Sequence, residues 1–313
     1  KPTIFDSNIY MFQHEYREKQ KNSSLIADFS ITKGYQSSLP NSNKNSITHL
    51  FAKYNLNLDL PNFFRSNLDV FFEKVSNDTY LKIFDNNLIE TIVKPKDFNT
   101  LSSGVTLELD HKDYTFSTGV NMYESLQTSK SSDRYSYALP YYRFSRTFDL
   151  DKFGWIDFTS NGDNNLVETN NLSTAISNGI AYHTNEYISD FGFKNNMGFY
   201  FTNLNTIAKN NNLYKSSPQA ELLNIFEFNS SLPLQKIDGD YLNTIEPKIS
   251  IRFNPDDMKN YSSLKRVINT DNVFDIGRLG LAESYEQGKS LTLGTRYKRE
   301  DIGDINKYFE LKL

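Results

Sequence analysis

The sequence predicts an all-β chain, an antiparallel up-and-down transmembrane β-barrel with about fourteen of its strands present, and three observations point there. Stretches of about ten residues alternate apolar and polar side chains with period two. The segments between them are short and long by turns. Finally, no apolar run approaches the roughly 20 residues that a spanning helix needs, whereas a tilted strand of about ten crosses the same hydrocarbon. A closed barrel also satisfies every backbone N–H and C=O without water.

Composition agrees. The 313 residues include 24 Phe and 20 Tyr against one Trp, and Asn and Ser crowd the gaps between apolar runs, as strands joined by turns require. The net charge of −4 and a pI near 5.7 supply no concentrated basic face, so nucleic acid is not an expected partner. With no Cys there are no disulfides and no thiolate metal sites.

The expected strands, in order, are 9–18, 24–35, 47–60, 66–75, 102–110, 114–123, 134–145, 154–160, 172–183, 190–203, 220–230, 242–253, 290–299 and 307–313. The third is the clearest. Leu50, Ala52, Tyr54, Leu56, Leu58 and Leu60 fall on one face, and Lys53, Asn55, Asn57 and Asp59 on the other. Ile245, Pro247, Ile249, Ile251 and Phe253 repeat the pattern against Glu246, Lys248, Ser250 and Arg252. In a spanning barrel the greasy face meets lipid and the polar face lines a lumen; in a soluble sandwich the greasy face meets a second sheet.

Gap lengths separate these two. They run short at 19–23, long at 36–46, short at 61–65, long at 84–101, short at 111–113 and long at 124–133. A modest 146–153, a longer 161–171, a short 184–189, a long 204–219, a middling 231–241, a very long 254–289 and a short 300–306 follow. Spanning barrels keep this parity and sandwiches have no reason to. Phe63, Phe64, Tyr123, Tyr141, Tyr142 and Trp155 near strand ends are candidates for interfacial girdles. The opening at Lys1-Pro2 shows no export signal, and Phe309 to Leu313 reads as mid-strand, so the chain is expected to be a fragment forming an unclosed sheet with two open edges.

Catalytic signatures are missing. His14, His49, His111 and His183 stand far apart, without H-E-x-x-H or other metal spacing, and there is no G-x-S-x-G elbow or phosphate loop. A barrel phospholipase needs a Ser/His pair on adjacent strands, and Thr159 to Gly162 has no nearby histidine. The acidic pieces Asn254 to Asp257 and Asp271 to Asp275 lack the spaced Ca²⁺ pattern. No enzyme, metal or cofactor is expected.

Several short motifs resemble one family. Ser76 to Leu81 follows a strand; Ser132 to Tyr135 leads to Leu139-Pro-Tyr-Tyr142; Lys215 to Gln219 and Ile245 to Lys248 precede Arg252 to Pro255; Gly277-Arg-Leu-Gly280 precedes Gly288 and Gly294. In this order, over nearly the whole chain, they are similar to LptD (Imp/OstA), the outer-membrane protein that assembles lipopolysaccharide, in an alphaproteobacterial-like form. The resemblance implies that residues 1–313 are the first part of a C-terminal barrel of about 26 strands, without its N-terminal jelly roll or closing strands. It also implies that sugars pass through the lumen while acyl chains leave sideways through a seam, with Pro2 a lateral-gate candidate because proline donates no N–H. Lys53, Asn55, Asn57, Asp59, Glu246, Lys248, Ser250 and Arg252 become lumen-facing candidates. The implied partners are lipopolysaccharide, outer-membrane lipid, an LptE-type lipoprotein plug and, through the jelly roll, a periplasmic LptA-type bridge. The family's disulfide control does not carry over to a segment without Cys. A porin-like or receptor barrel for solute uptake and a secreted glycan-binding β-sandwich are the alternatives.

Overall fold

The structure is a computed structural model that describes residues 1–6, 9–34, 46–128, 132–256, 267–278 and 286–313. It is all-β: among the described residues there is one antiparallel up-and-down sheet of 17 strands that is not closed. In chain order the strands are β1 (Pro2–Asp6), β2 (Ile9–Lys19), β3 (Ser23–Lys33), β4 (Ser46–Asn57), β5 (Phe63–Val75), β6 (Thr100–His111), β7 (Thr115–Ser125) and β8 (Tyr135–Asp149). There follow β9 (Trp155–Val167), β10 (Asn171–His183), β11 (Tyr187–Ile188), β12 (Lys194–Lys209), β13 (Gln219–Ser231), β14 (Leu234–Asp238), β15 (Tyr241–Asn254), β16 (Gly288–Asp301) and β17 (Tyr308–Lys312). A single α-helix among the described residues, α1 (Tyr80–Phe84), lies between β5 and β6.

Each of the fourteen expected strands is present. Three segments were not anticipated: β1, which pairs with β2 from Pro2↔Phe12 to Asp6↔Ile9, and the short β11 and β14. The last two continue β10 and β13 past a break, because the ladder is kept across each gap by Thr184 N–H to the Met197 carbonyl (3.0 Å) and Leu232 N–H to the Pro247 carbonyl (3.1 Å).

The connections at one set of alternate strand ends are all short: 20–22, 58–62, 112–114, 150–154, 189–193, 239–240 and 302–307. At the other set, 34–45, 76–99, 126–134, 210–218 and 255–287 are long, whereas 7–8 and 168–170 are short. The expected long loop at 161–171 is therefore corrected. Residues 161–167 extend β9, held by Arg143 Nη2, which donates to both Asp163 carboxylate oxygens (2.7 and 2.9 Å), and by the Thr174 hydroxyl donating to Asn164 (2.9 Å). The turn that follows places two successive left-handed residues, Glu168 (φ 52) and Thr169 (φ 56). Positive φ at both central positions is the tight hairpin geometry that usually announces itself as Asn-Gly. Here neither residue type signals it.

The chain forms two compact units. One comprises Lys1–Ser145, Asn161–Ile176 and Thr206–Pro218; the other comprises Arg146–Ser160, Ser177–Asn205 and Gln219–Leu313. The first unit holds a buried cluster in which Met11, Ile47 and Phe51 of the sheet meet Tyr80, Leu81, Phe84, Leu88 and Val93 from the β5–β6 connection. Gly104 of β6 shows how tightly the strands approach: a Cβ there would lie 2.5 Å from the Val120 carbonyl oxygen and also press on Asn121 Oδ1. Gly104→Val is expected to cost about 1–3 kcal/mol through overpacking. A lowered denaturant midpoint in the full-length protein, with the unfolding slope unchanged, is the measurement that checks it.

Candidate functional site

Register in the first unit sorts the strands into two faces of opposite character. On one face the cross-strand rows read Phe12, Ile31 and Thr48; His14, Phe29 and Leu50; Tyr16, Ala27, Ala52 and Phe72; Leu25, Tyr54, Val70, Val105 and Val120; and Leu56, Leu68 and Leu107. Phe12, Ile31, Leu50, Phe72, Val105 and Val120 in this band are exposed. Exposed apolar rows that adjoin one another mark an interaction surface, for a membrane or for a protein partner.

The opposite face carries the predicted polar set. Lys53 pairs with Phe71, and Asn55 with Asp69; Lys53 Nζ lies 3.9 Å from Asp69 Oδ1, and the Asn55 amide donates to the same oxygen at 3.0 Å. Asn57 ends the strand, its side-chain oxygen accepting the Asp59 backbone N–H at 3.0 Å. Asp59 is corrected, as are Leu58 and Leu60: β4 stops at Asn57, and Asp59 adopts φ 52 in the β4–β5 turn, so it does not lie on the wall. An Asx turn at Asn57 takes up the backbone that alternation would have continued.

The second unit repeats the division. Ile245, Ile249 and Ile251 of β15 pair with Tyr297, Leu293 and Leu291 of β16, and Leu291 and Leu293 are 62% and 69% exposed. Between them, Glu246, Lys248, Ser250 and Arg252 point to the other face, in register with Arg296, Gly294, Thr292 and Ser290. Their surroundings are not open. Phe274, from the β15–β16 connection, sits over Gly294, where a Cβ would meet the ring at 2.8 Å, and Lys248 Nζ lies 4.7 Å from that ring's centroid. Glu286 holds Arg278 at 2.6 Å and approaches Arg252 at 3.8 Å, so Ser250 and Arg252 are buried. Asp257 and Gly280 lie outside the described residues.

In the first unit a polar network missed by sequence reading anchors the β5–β6 connection to the polar face. Gln13 donates to both Asp28 carboxylate oxygens (2.9 and 2.8 Å) and accepts the Ile89 backbone N–H (3.0 Å). His49 Nε2 lies 3.2 Å from Asp28 Oδ1, and its Nδ1 lies 3.0 Å from Ser30 Oγ and 2.9 Å from the Tyr80 hydroxyl, which also bonds Ser30. Arg134 adds a second clamp, 3.0 Å from both Asp78 and Glu124. Strand periodicity places Gln13, Ser30 and His49 each on one face of its own strand, but only β2–β3–β4 register shows that they meet. Ser30, His49 and Asp28 have the residue types of a nucleophilic triad on adjacent strands. They are only 1%, 3% and 1% exposed and are capped by Tyr80, which leaves no approach for a substrate carbonyl. The arrangement serves as a buried polar network beneath the β5–β6 connection.

Pro2 begins β1 opposite Phe12, the strand-start position where a missing N–H is tolerated. Of the girdle candidates, Phe64 is 80% exposed and Phe63 packs edge-on against His111 (4.9 Å). The Tyr141 hydroxyl instead meets Thr106 (3.1 Å) on the polar face, and Trp155 stacks on His183 (5.0 Å).

Burial pushes the Tyr80 hydroxyl up to about 12, against the opposing hydrogen bond to Ser30. The unfolded chain gives up this proton first, near pH ~10, so the stabilisation is whole below that value and is lost as pH rises towards the folded value. A comparison of parent and Tyr80→Phe protein should show alkaline destabilisation weakened in the variant. At neutral pH, Tyr80→Phe should cost about 1–2 kcal/mol, because Ser30 and His49 lose a buried partner. Hydrogen exchange should then rise in 76–99 ahead of the strands.

In sequence comparisons, no protein-family model and no curated protein matches this chain.

Proposed function

We propose that this chain forms part of the wall of an outer-membrane β-barrel that assembles lipopolysaccharide into the outer leaflet. The observation that carries the reading is the division of each unit into an exposed apolar face and a polar face. Lipid is the solvent that accepts the first, and a hydrated lumen accepts the second. The short connections at one set of strand ends, and the mostly long ones at the other, support the same orientation.

The cargo is inferred from the resemblance. A lipopolysaccharide has a sugar portion that belongs in the polar conduit and acyl chains that gain about 0.8 kcal/mol per CH₂ by remaining in hydrocarbon. A translocon with a lateral opening meets both demands at once, and Pro2, which donates no N–H, is the gate candidate that the resemblance implies. Lys53, Asn55, Asn57, Glu246, Lys248, Ser250 and Arg252 are the lumen-side residues; Ser250 and Arg252 lie beneath the β15–β16 connection, and the others are on the side of the cargo or of an LptE-type plug. The role is one of transport, without covalent chemistry.

Two experiments test it. Ile249→Arg places a charge on the apolar face near the middle of β15, at a cost of about 2–4 kcal/mol at the bilayer midplane, so the full-length protein should lose heat-modifiable, folded migration, while Lys248→Gln on the polar face should keep it. Depletion of the full-length protein should strip newly made lipopolysaccharide from the cell surface. Intact surface lipopolysaccharide with impaired uptake of small solutes would identify a porin-like barrel instead.

A further inference from the structure

On the polar face of the second unit, near the short connections, a separate cavity of about 310 Å³ is built from β9, β10, β12 and β13. Trp155 opens β9 and donates its indole N–H to Asp157 at 3.1 Å. His183, which closes β10, stacks on the indole at 5.0 Å and 17°, and the Tyr200 ring stands edge-on to the imidazole at 5.3 Å and 85°. Gly198 makes this possible, since a Cβ there would lie 2.7 Å from the Tyr200 ring. Asn196 and Asn229 are joined by one amide hydrogen bond of 3.2 Å, and Thr184, Asn185, Glu186, Met197 and Glu227 complete the lining.

Aromatic faces beside amides and carboxylates suit one ligand chemistry. A pyranose ring has an apolar C–H face that packs on an aromatic plane and a rim of hydroxyls that pair with amide and carboxylate groups. The volume lies at the lower end of the about 300–1,000 Å³ of small-molecule pockets, which suits a short saccharide. Charge narrows the class further. The carboxylates of the lining are Glu186, which Lys194 binds at 3.2 Å, and Glu227, and the described lining has no Lys or Arg of its own, which favours an uncharged ligand over phosphate. Trp155 remains 38% exposed, with His183 stacked on one face of its ring.

We infer that the Trp155–His183–Tyr200 cavity is a binding subsite for an uncharged saccharide ring. Resting on the transport reading, it assigns the cavity to the neutral core sugars of the cargo and not to its phosphorylated lipid end.

The test is calorimetric titration of the full-length protein in detergent with dephosphorylated, deacylated core oligosaccharide, and in parallel with glucose 1-phosphate. Saturable binding of the neutral oligosaccharide is expected, at least tenfold weaker in Trp155→Ala, restored to within about threefold in Trp155→Phe, and weakened by Asn229→Ala, with the phosphorylated sugar binding poorly. Heat-modifiable migration verifies that each variant is folded. Absent binding, equal binding by parent and Trp155→Ala, or preference for the phosphorylated sugar overturns the proposal. If depletion leaves surface lipopolysaccharide intact while the oligosaccharide still binds at Trp155, the transport reading fails and the subsite stands. Lipopolysaccharide loss on depletion without saccharide binding has the opposite meaning.

Discussion

A β-strand with period-two chemistry needs two different solvents, one for each face, and must also pair its backbone on both edges. Almost every feature of this chain follows from that double demand. The rows from Phe12 to Val120 and from Ile245 to Leu293 are apolar and open, while the rows behind them hold Gln13, Ser30, His49, Lys53, Ser250 and Arg252. In a soluble sandwich the apolar rows would meet a second layer of the chain; here Leu291 and Leu293 face outwards. The covering layer, where there is one, lies on the polar side.

That inversion explains how the long connections are used. In the first unit, residues 80–93 cross the polar face and are fastened by Tyr80, by Ile89 on Gln13 and by Arg134 on Asp78. In the second, Phe274 packs on Gly294, and Arg278 with Glu286 closes over Ser250 and Arg252. A segment docking on a polar wall must satisfy the wall's donors and acceptors, so hydrogen-bonded and ionic contacts appear beside the apolar ones. The buried Asp28–His49–Ser30 arrangement is one outcome of that rule, and its residue types would mislead if read without their burial.

Much of the fold was legible because strand periodicity is local. All fourteen expected strands exist, and the face partition holds within β4 and β15, with Lys53 and Asn55 set against Leu50 and Tyr54. Strand ends were less legible, since they depend on turns. Asp59 left the wall because Asn57 caps the strand, and 161–167 joined it because Glu168 and Thr169 adopt left-handed geometry that their side chains do not advertise. The α1 segment was invisible for a related reason: Tyr80, Leu81 and Phe84 are held by the sheet face beneath them more than by helix propensity.

The amino-acid sequence by itself determined the all-β class, the strand order and the division of each strand into an apolar and a polar side, because these arise from neighbours two residues apart. Only the tertiary structure decided which polar residues meet. Gln13, Asp28, Ser30, His49 and Tyr80 come from three strands and a connection, and Trp155, His183 and Tyr200 from three further strands. Such meetings depend on register and on the path of long connections, which are set by distant pairings that no local pattern encodes.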